Sequence, residues 1–127
     1  MTRVSFLLDE DMPAVVGDTV LAREPSIVVH HVGESPDFPP EGTLDPQILI
    51  FAEVTWMAVV TFDKRTMRDH AIAHIESGRH TWGVFVFPNG HDLSPGRIAE
   101  ELEAVWGASE AEELMDQVVY LPFGKGA

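Results

Sequence analysis

Three consecutive acids near the start of the chain are the residues of this sequence whose types most suggest chemistry. The segment VSFLLDEDMP places Asp9, Glu10 and Asp11 directly after a short apolar run. Carboxylates this close repel one another and lose solvation when a buried strand ends on them. The cluster is therefore either an acidic turn that faces water or the start of a metal-binding, catalytic site.

Two further aspartates stand where they could complete such a site. Asp63 directly follows the apolar run MAVVTF, and Asp45 opens a helical segment with Pro46 behind it. Carboxylate oxygens are the ligands that Mg²⁺ and Mn²⁺ prefer, and a divalent ion would relieve the repulsion among the acids. The alternative is that Asp45 is a plain helix cap, while Asp9 and Asp63 are ordinary turn residues at strand ends.

Charge alone disfavours nucleic acid as a partner of this chain. Twenty-one acidic residues against eight basic ones give a net charge of −13, which repels polyanions at long range. The basic residues are nevertheless concentrated, because half of them fall within sixteen positions. These are Lys64, Arg65, Arg68 and Arg79.

The elements that must position these residues alternate along the whole chain. Apolar runs predict strands at residues 4–8, 27–32, 57–62, 83–87 and 118–121. Helical spacing and start signals predict helices at 12–24, from 45 onwards, at 66–77, at 94–106 and, as a short piece, at 109–116. Alternation of this kind predicts one α/β domain over residues 1–127, with a mostly parallel sheet between two helical layers.

The predicted helix starts rest on side-chain caps. Asp45 is expected to cap its helix, with Pro46 at the first helical position. Thr66 with Asp69, and Ser109 with Glu112, fit capping boxes.

This architecture also predicts where a site should form. In parallel α/β sheets, sites lie beyond the carboxyl ends of the strands, where the strand order reverses. If the first and third strands are neighbours, Asp9 and Asp63 share one crevice, and the loop before Asp45 can lie over the same edge.

Composition limits the remaining classes of function. Of the 127 residues, 45% are hydrophobic and none is cysteine, which excludes disulfides and cysteine-ligated metals. No apolar run approaches the roughly 20 residues that span a bilayer, and no signal-peptide pattern is present. We therefore expect a globular, cytoplasmic protein without membrane partners.

Three segments, taken in order, resemble the small bacterial PIN-like domains related to VapC-type toxins. They are FLLDEDMP at the first strand, DPQILIFA at the second helix and AVVTFDK at the third strand. That family typically shows an LLDENLP-like segment, a D-P-x-I-L-x-x-A helix start and a V-T-x-D strand end. The resemblance by motif covers about the first seventy residues.

The resemblance implies a PIN-like α/β/α sandwich with the activity of an endoribonuclease that depends on Mg²⁺ or Mn²⁺. It implies single-stranded RNA as substrate, and an antitoxin protein and a second copy of the chain as partners. The implied catalytic residues are Asp9, Asp45 and Asp63, which with Glu10 and Asp11 would hold the metal; Lys64, Arg65 and Arg68 would contact RNA phosphates. Two positions depart from the family pattern: Asp11 replaces a common asparagine, and Arg65 replaces a common acid.

Two other functions stay open. A catalytically degenerate PIN-like binding module would keep the fold without the chemistry. A receiver-like signalling domain would use Asp63 as a phosphate acceptor, but it also needs a hydroxyl and a lysine at the later strand ends. The segments GVFVFPNG and VVYLPFGK do not place them directly there.

Histidines and tryptophans have simpler interpretations. His70 and His74 have the i, i+4 spacing of a zinc-binding helix but lack its glutamate, so a solvated or RNA-facing helix surface is favoured. Of His30 and His31 at most one is expected to face inwards. Each tryptophan adjoins an apolar segment, which predicts core or core-rim positions for Trp56, Trp82 and Trp106.

Overall fold

The computed structural model describes residues 2–62, 65–89 and 93–122, with Arg65 described by its backbone. Strands and helices alternate as the apolar pattern predicts. Their bounds are β1 Ser5–Leu8, α1 Ala14–Arg23, β2 Val29–His31, α2 Asp45–Val54, β3 Met57–Phe62, α3 Arg65–Glu76, β4 Val84–Phe87, α4 Pro95–Ala108 and β5 Val118–Tyr120. A single 3₁₀ turn, Ala111–Leu114, precedes β5.

The five strands form one sheet in the order β2-β1-β3-β4-β5, with every neighbouring pair parallel. The order reverses between β1 and β3, because β2 lies on one side of β1 and the later strands on the other. Leu8 at the end of β1 is in register with Val60 of β3. The first and third strands are therefore neighbours, which is the condition on which the predicted shared crevice depends.

Helices cover both faces of the sheet. Alternate strand residues such as Phe6, Leu8 and Phe85 point to one face, where they pack with α1 and α4. Leu7 and Val59 point to the other face and pack with α2 and α3. Because both faces are covered, the strands are apolar on both sides, as parallel sheets require. The predicted three-layer α/β/α sandwich is confirmed.

The predicted caps differ from the structure in three places. Helix α2 begins at Asp45 itself, after Leu44, which makes no side-chain capping bond, so Asp45 is not the cap. Helix α3 begins at Arg65, which puts Thr66 inside the first turn and removes the predicted capping box with Asp69. The box before β5 exists one residue later than predicted, between Glu110 and Glu113.

One tryptophan is not in the core. Trp56 follows α2 with a φ of 63° and is 54% exposed, and its ring stacks on Trp82 at 4.3 Å between centroids. A bulky residue in the left-handed region is uncommon. Trp106 packs against the core beneath the Arg3 guanidinium, 4.8 Å from the ring centroid. The prediction of a core or core-rim position is wrong for Trp56.

Within the described ranges, the helices are too short or too polar to cross a lipid bilayer.

Candidate metal-binding site at the carboxyl end of β1 and β3

Asp9 is a buried carboxylate at the end of β1. Its residue is 5% exposed, and its backbone N–H donates to the Val60 carbonyl at 2.9 Å, which continues the β1–β3 pairing by one residue. The Thr61 hydroxyl donates to Oδ2 at 3.0 Å, and the Glu10 N–H donates to Oδ1 at 2.8 Å. Both donors are neutral, and each carboxylate oxygen keeps a further lone pair. Asp9 is therefore oriented but can still accept a cation.

Thr61 was not recognised from the sequence as a site residue. It is fully buried in β3, one position before the strand ends. The signal was available, because a threonine in the otherwise apolar run MAVVTF is a polar group that needs a buried partner. Its partner is Asp9, fifty-two residues away in the chain.

Asp45 lies close enough to Asp9 and Glu10, which follow β1, for their charges to shift its pKa. Burial raises the pKa of Asp45, and the negative charges of Asp9 and, more weakly, Glu10 raise it further. The His70 charge and a hydrogen bond from Thr66 oppose the rise without cancelling it. The ionised form of Asp45 is thus disfavoured by its neighbours, which is the electrostatic relation that a bound cation reverses.

Two residues of α3 lie beside Asp45. Thr66 and His70 are four positions apart, so both lie on one face of the helix. Together with Thr43, Leu44 and Pro46 they border an open cleft of about 340 Å³ beside Asp45. Thr66 therefore acts as a partner of Asp45 and not as a helix cap.

The two histidines of α3 do not share a site. His70 lies beside Asp45. His74 is buried one turn later, with Nε2 3.0 Å from Glu53 Oε1 and 3.0 Å from the His80 carbonyl. A structural role for His74 replaces the predicted solvated surface, and the pair does not form a zinc site.

Neither histidine of β2 turns fully inwards. His30 Nδ1 lies 2.7 Å from Glu34 Oε2, and its ring stacks on Phe38. His31 Nδ1 lies 2.7 Å from the Val32 carbonyl, and its Nε2 faces the Met12 carbonyl.

The second and third acids of the opening cluster face the surface. Glu10 Oε1 accepts from the Gly42 N–H at 2.8 Å, which ties the loop before α2 to the end of β1. Asp11 is exposed in the turn that leads to α1. Glu10 therefore holds the loop over the site, while Asp9 points into the fold.

Several predicted site residues fall outside this geometry. Asp63 and Lys64 lie outside the described residues, and Arg65 is placed only as the first residue of α3. The Arg68 side chain is 47% exposed, with Nη2 3.8 Å from Asp69 Oδ1. In the described part of the chain, no three His, Cys, Asp or Glu side chains come together closely enough to hold a metal ion.

Two carboxylates of the described residues influence one another at this edge. Asp9 and Asp45 supply two carboxylates, and Mg²⁺ is commonly held by one or two carboxylates with water and substrate phosphates completing the shell. Asp63, the next residue in sequence after β3, is the third carboxylate that the sequence predicts.

The strand order does not separate the PIN-like and receiver-like interpretations, because flavodoxin-like signalling domains share it. The strand ends do differ from receiver chemistry. Pro88 and Asn89 follow β4, and Leu121 and Pro122 follow β5. Neither pair supplies the hydroxyl or the lysine that a receiver domain uses.

Comparison of the chain with protein-family models, curated proteins and solved structures found no match. The resemblance to PIN-like domains therefore stays a prediction that rests on the three sequence segments.

Proposed function

We propose that this protein is a divalent-metal-dependent endoribonuclease of the PIN-like type that acts on single-stranded RNA. One observation carries the proposal: β1 and β3 are hydrogen-bonded parallel neighbours, and each is followed directly by an aspartate in the sequence. Asp45 of α2 adds a carboxylate that senses the charge of Asp9. Asp9 and Asp45 thus belong to one edge of the sheet, and Asp63 is the residue that follows β3 in the sequence.

The chain's own residues would prepare this edge for chemistry. Thr61 and the Glu10 N–H orient Asp9, and Thr66 lies beside Asp45 at the cleft. When bound, Mg²⁺ or Mn²⁺ supplies the acidity that activates water and stabilises charge on a phosphodiester. Without a cation, the acids at this edge repel phosphate, so the metal is needed for RNA binding as well as for cleavage.

The basic segment after β3 supports an RNA substrate despite the net charge. Lys64, Arg65 and Arg68 follow the third strand immediately in sequence, and Arg68 lies in the first turn of α3. Cations beside the acidic edge would contact the phosphates that flank the cleaved bond. The same resemblance would make the chain the toxin of a toxin–antitoxin pair in the cytoplasm, with an antitoxin and a second copy as partners, or a related RNA-processing factor.

The test is cleavage of unstructured RNA with Mg²⁺ or Mn²⁺, comparing the wild type with Asp9→Asn and Asp63→Asn. We expect each substitution to lower the rate by more than the roughly 10–100-fold that loss of an outer-shell partner of a metal causes. Glu100→Gln is the matched control, because it removes one exposed charge from α4 on the opposite face. Unchanged cleavage in both aspartate variants, or no cleavage by the wild type with either metal, would refute the enzyme.

A binding module is the second candidate. It is favoured by Arg65, which stands where the family commonly carries an acid, and by the two-carboxylate donor set of the described residues. Failure of the wild type to bind Mn²⁺ at millimolar concentration would select this candidate. A receiver-like domain would instead incorporate phosphate from a small phosphodonor.

A further inference from the structure

A second cleft, of about 360 Å³, opens on the α1 side of the sheet. It lies between α1, the ends of β1 and β2 and the loop that follows β2. Its lining includes Leu21, which is exposed, and Leu8 and Val29, which are buried at its base. The volume lies at the lower end of the range for small-molecule sites.

Gly17 leaves the floor of this cleft open. A Cβ built at Gly17 lies 3.5 Å from Leu8 Cδ1 and 3.9 Å from Val29 Cγ2, which are ordinary contact distances. An alanine would therefore fit at this position. Glycine is also less favourable than alanine inside a helix, so neither packing nor helix stability explains the glycine. The missing side chain leaves space above the buried side chains of Leu8 and Val29.

Carboxylates ring the mouth of the cleft. Glu34 is already engaged, because its Oε2 lies 2.7 Å from His30 Nδ1 and its Oε1 accepts from the His31 N–H. Asp18 and Glu41 are exposed and have no hydrogen-bond or ion-pair partner among the residues that the structure describes. No lysine or arginine is among the described residues that line the cleft. The mouth therefore has negative charge that a ligand could neutralise.

At His31 the neighbouring sheet edge is occupied by the chain itself. Glu34 takes up both backbone groups of His31: its carboxylate accepts from the His31 N–H at 3.0 Å, and its own N–H donates to the His31 carbonyl at 3.0 Å. Strand addition needs such groups to be free on the edge strand. A ligand therefore cannot extend the sheet at His31, beside the cleft.

We propose that this cleft binds an organic cation with an aliphatic body: an ammonium or guanidinium group carried on a short carbon chain. The charged group would pair with Asp18 and Glu41, while the chain would lie against the exposed Leu21, above the buried Leu8 and Val29. The net charge of −13 attracts such a ligand over long range. Free amines and the arginine or lysine side chains of a basic protein partner both present this chemistry.

The test is a titration of the full chain with agmatine, in which the NMR chemical shifts of the backbone amides report binding. We expect saturable shifts at Gly17 and Asp18, and no saturation with 1-pentanol, which has a similar chain without charge. Gly17→Ala should weaken binding by about tenfold or more, since its methyl group occupies the floor. Gly107→Ala is the matched control: it is the same change in a helix, at a position with nothing within 4 Å of the added Cβ.

A charge variant keeps the proposal testable if Gly17→Ala fails to fold. The double substitution Asp18→Asn with Glu41→Gln should weaken agmatine by about tenfold, while Glu100→Gln with Glu112→Gln removes the same charge from exposed positions elsewhere and should not. Equal weakening in both double variants, or no saturable shift at Gly17, would overturn the proposal. Because the readout is binding of an amine, its failure leaves the nuclease proposal untouched.

The source of the cation is read from a second titration. Tighter binding of the peptide Gly-Arg-Gly than of agmatine would support a basic side chain of a protein partner. Tighter binding of agmatine would support a free amine. Either order supports the cation site, and loss of both at Gly17→Ala would confirm that they share it.

Discussion

Asp9 and Asp45 are two carboxylates whose surroundings orient them without neutralising them. Asp9 accepts only from the Thr61 hydroxyl and the Glu10 N–H among its described partners. Asp45 is partly buried in the field of Asp9. Burial and the charge of Asp9 disfavour the ionised form of Asp45, so the charge on Asp45 costs stability unless a cation is present.

The raised pKa of Asp45 predicts the sign of a pH effect. Its folded-state pKa lies above the unfolded value, so its contribution to stability is full below pH 3.8 and is lost as the pH rises through the folded pKa. Asp45→Asn should therefore melt at a higher temperature than the wild type near pH 7 in the presence of chelator. At about pH 3 the difference should vanish, because Asp45 is then protonated in both states.

Thermal unfolding at the two pH values checks this effect. Asp37→Asn, which removes an exposed charge from the loop before α2, is the control for net charge. An Asp45→Asn protein that melts below the wild type at pH 7 would show that Asp45 is not destabilised by its neighbours.

At this scale the sequence identified the acids but not their partners. Asp9 and Asp45 stood out by type and by position at element ends. Thr61, Thr66 and His70 did not, because their contacts join separate elements and depend on strand register and helix crossing. Thr66 also had a competing local interpretation as a helix cap, which tertiary contact with Asp45 overrode.

At the scale of elements, Glu53 connects the end of α2 with the end of α3. Its Oε1 lies 2.9 Å from Arg79 Nε and 3.0 Å from His74 Nε2, and its backbone carbonyl accepts from Trp82 Nε1. Burial raises the pKa of Glu53, but hydrogen bonds from Arg79 and the His80 N–H and the charges of Arg79 and His74 outweigh it, so the pKa is lowered. This network holds α3 where Thr66 and His70 meet Asp45.

Glu53→Gln should lower the free energy of unfolding by about 1.5–3 kcal/mol, the usual contribution of hydrogen bonds to charged groups. Because the pKa of Glu53 is lowered on folding, its contribution is present above the unfolded value of 4.5 and is lost as the pH falls through the folded value. Urea unfolding at neutral and acid pH measures both effects. Glu76→Gln, exposed on α3, should cost little, and equal stability of the two variants would contradict the role of Glu53.

Element types were predictable because apolar runs and helical spacing alternate so regularly. The first residue of each element was harder to predict. Helix α2 could begin at Leu44, Asp45 or Pro46, and local chemistry alone does not distinguish these starts. Trp56 was misplaced for a related reason: residue type predicts burial, but the left-handed turn after α2 turns this ring outwards onto Trp82.

At the scale of the whole molecule, both proposed sites lie at the carboxyl end of the sheet, on opposite faces of β1. The carboxylate site faces α2 and α3, while the organic-cation cleft faces α1. A strongly acidic protein attracts cations to both. The fold class followed from the sequence because five apolar runs sufficed to define the sheet, whereas the cleft at Gly17 required three-dimensional packing to be seen.

Binding of Mn²⁺ is the measurement that tests the central claim most directly. Titration followed by electron paramagnetic resonance should show a saturable site in the wild type that is lost in Asp9→Asn and Asp45→Asn. Thr61→Val, which removes the hydroxyl that orients Asp9, should weaken it by roughly 10–100-fold, and Glu100→Gln should leave it unchanged. Equal Mn²⁺ binding by the wild type and both aspartate variants would show that these carboxylates do not form a metal site.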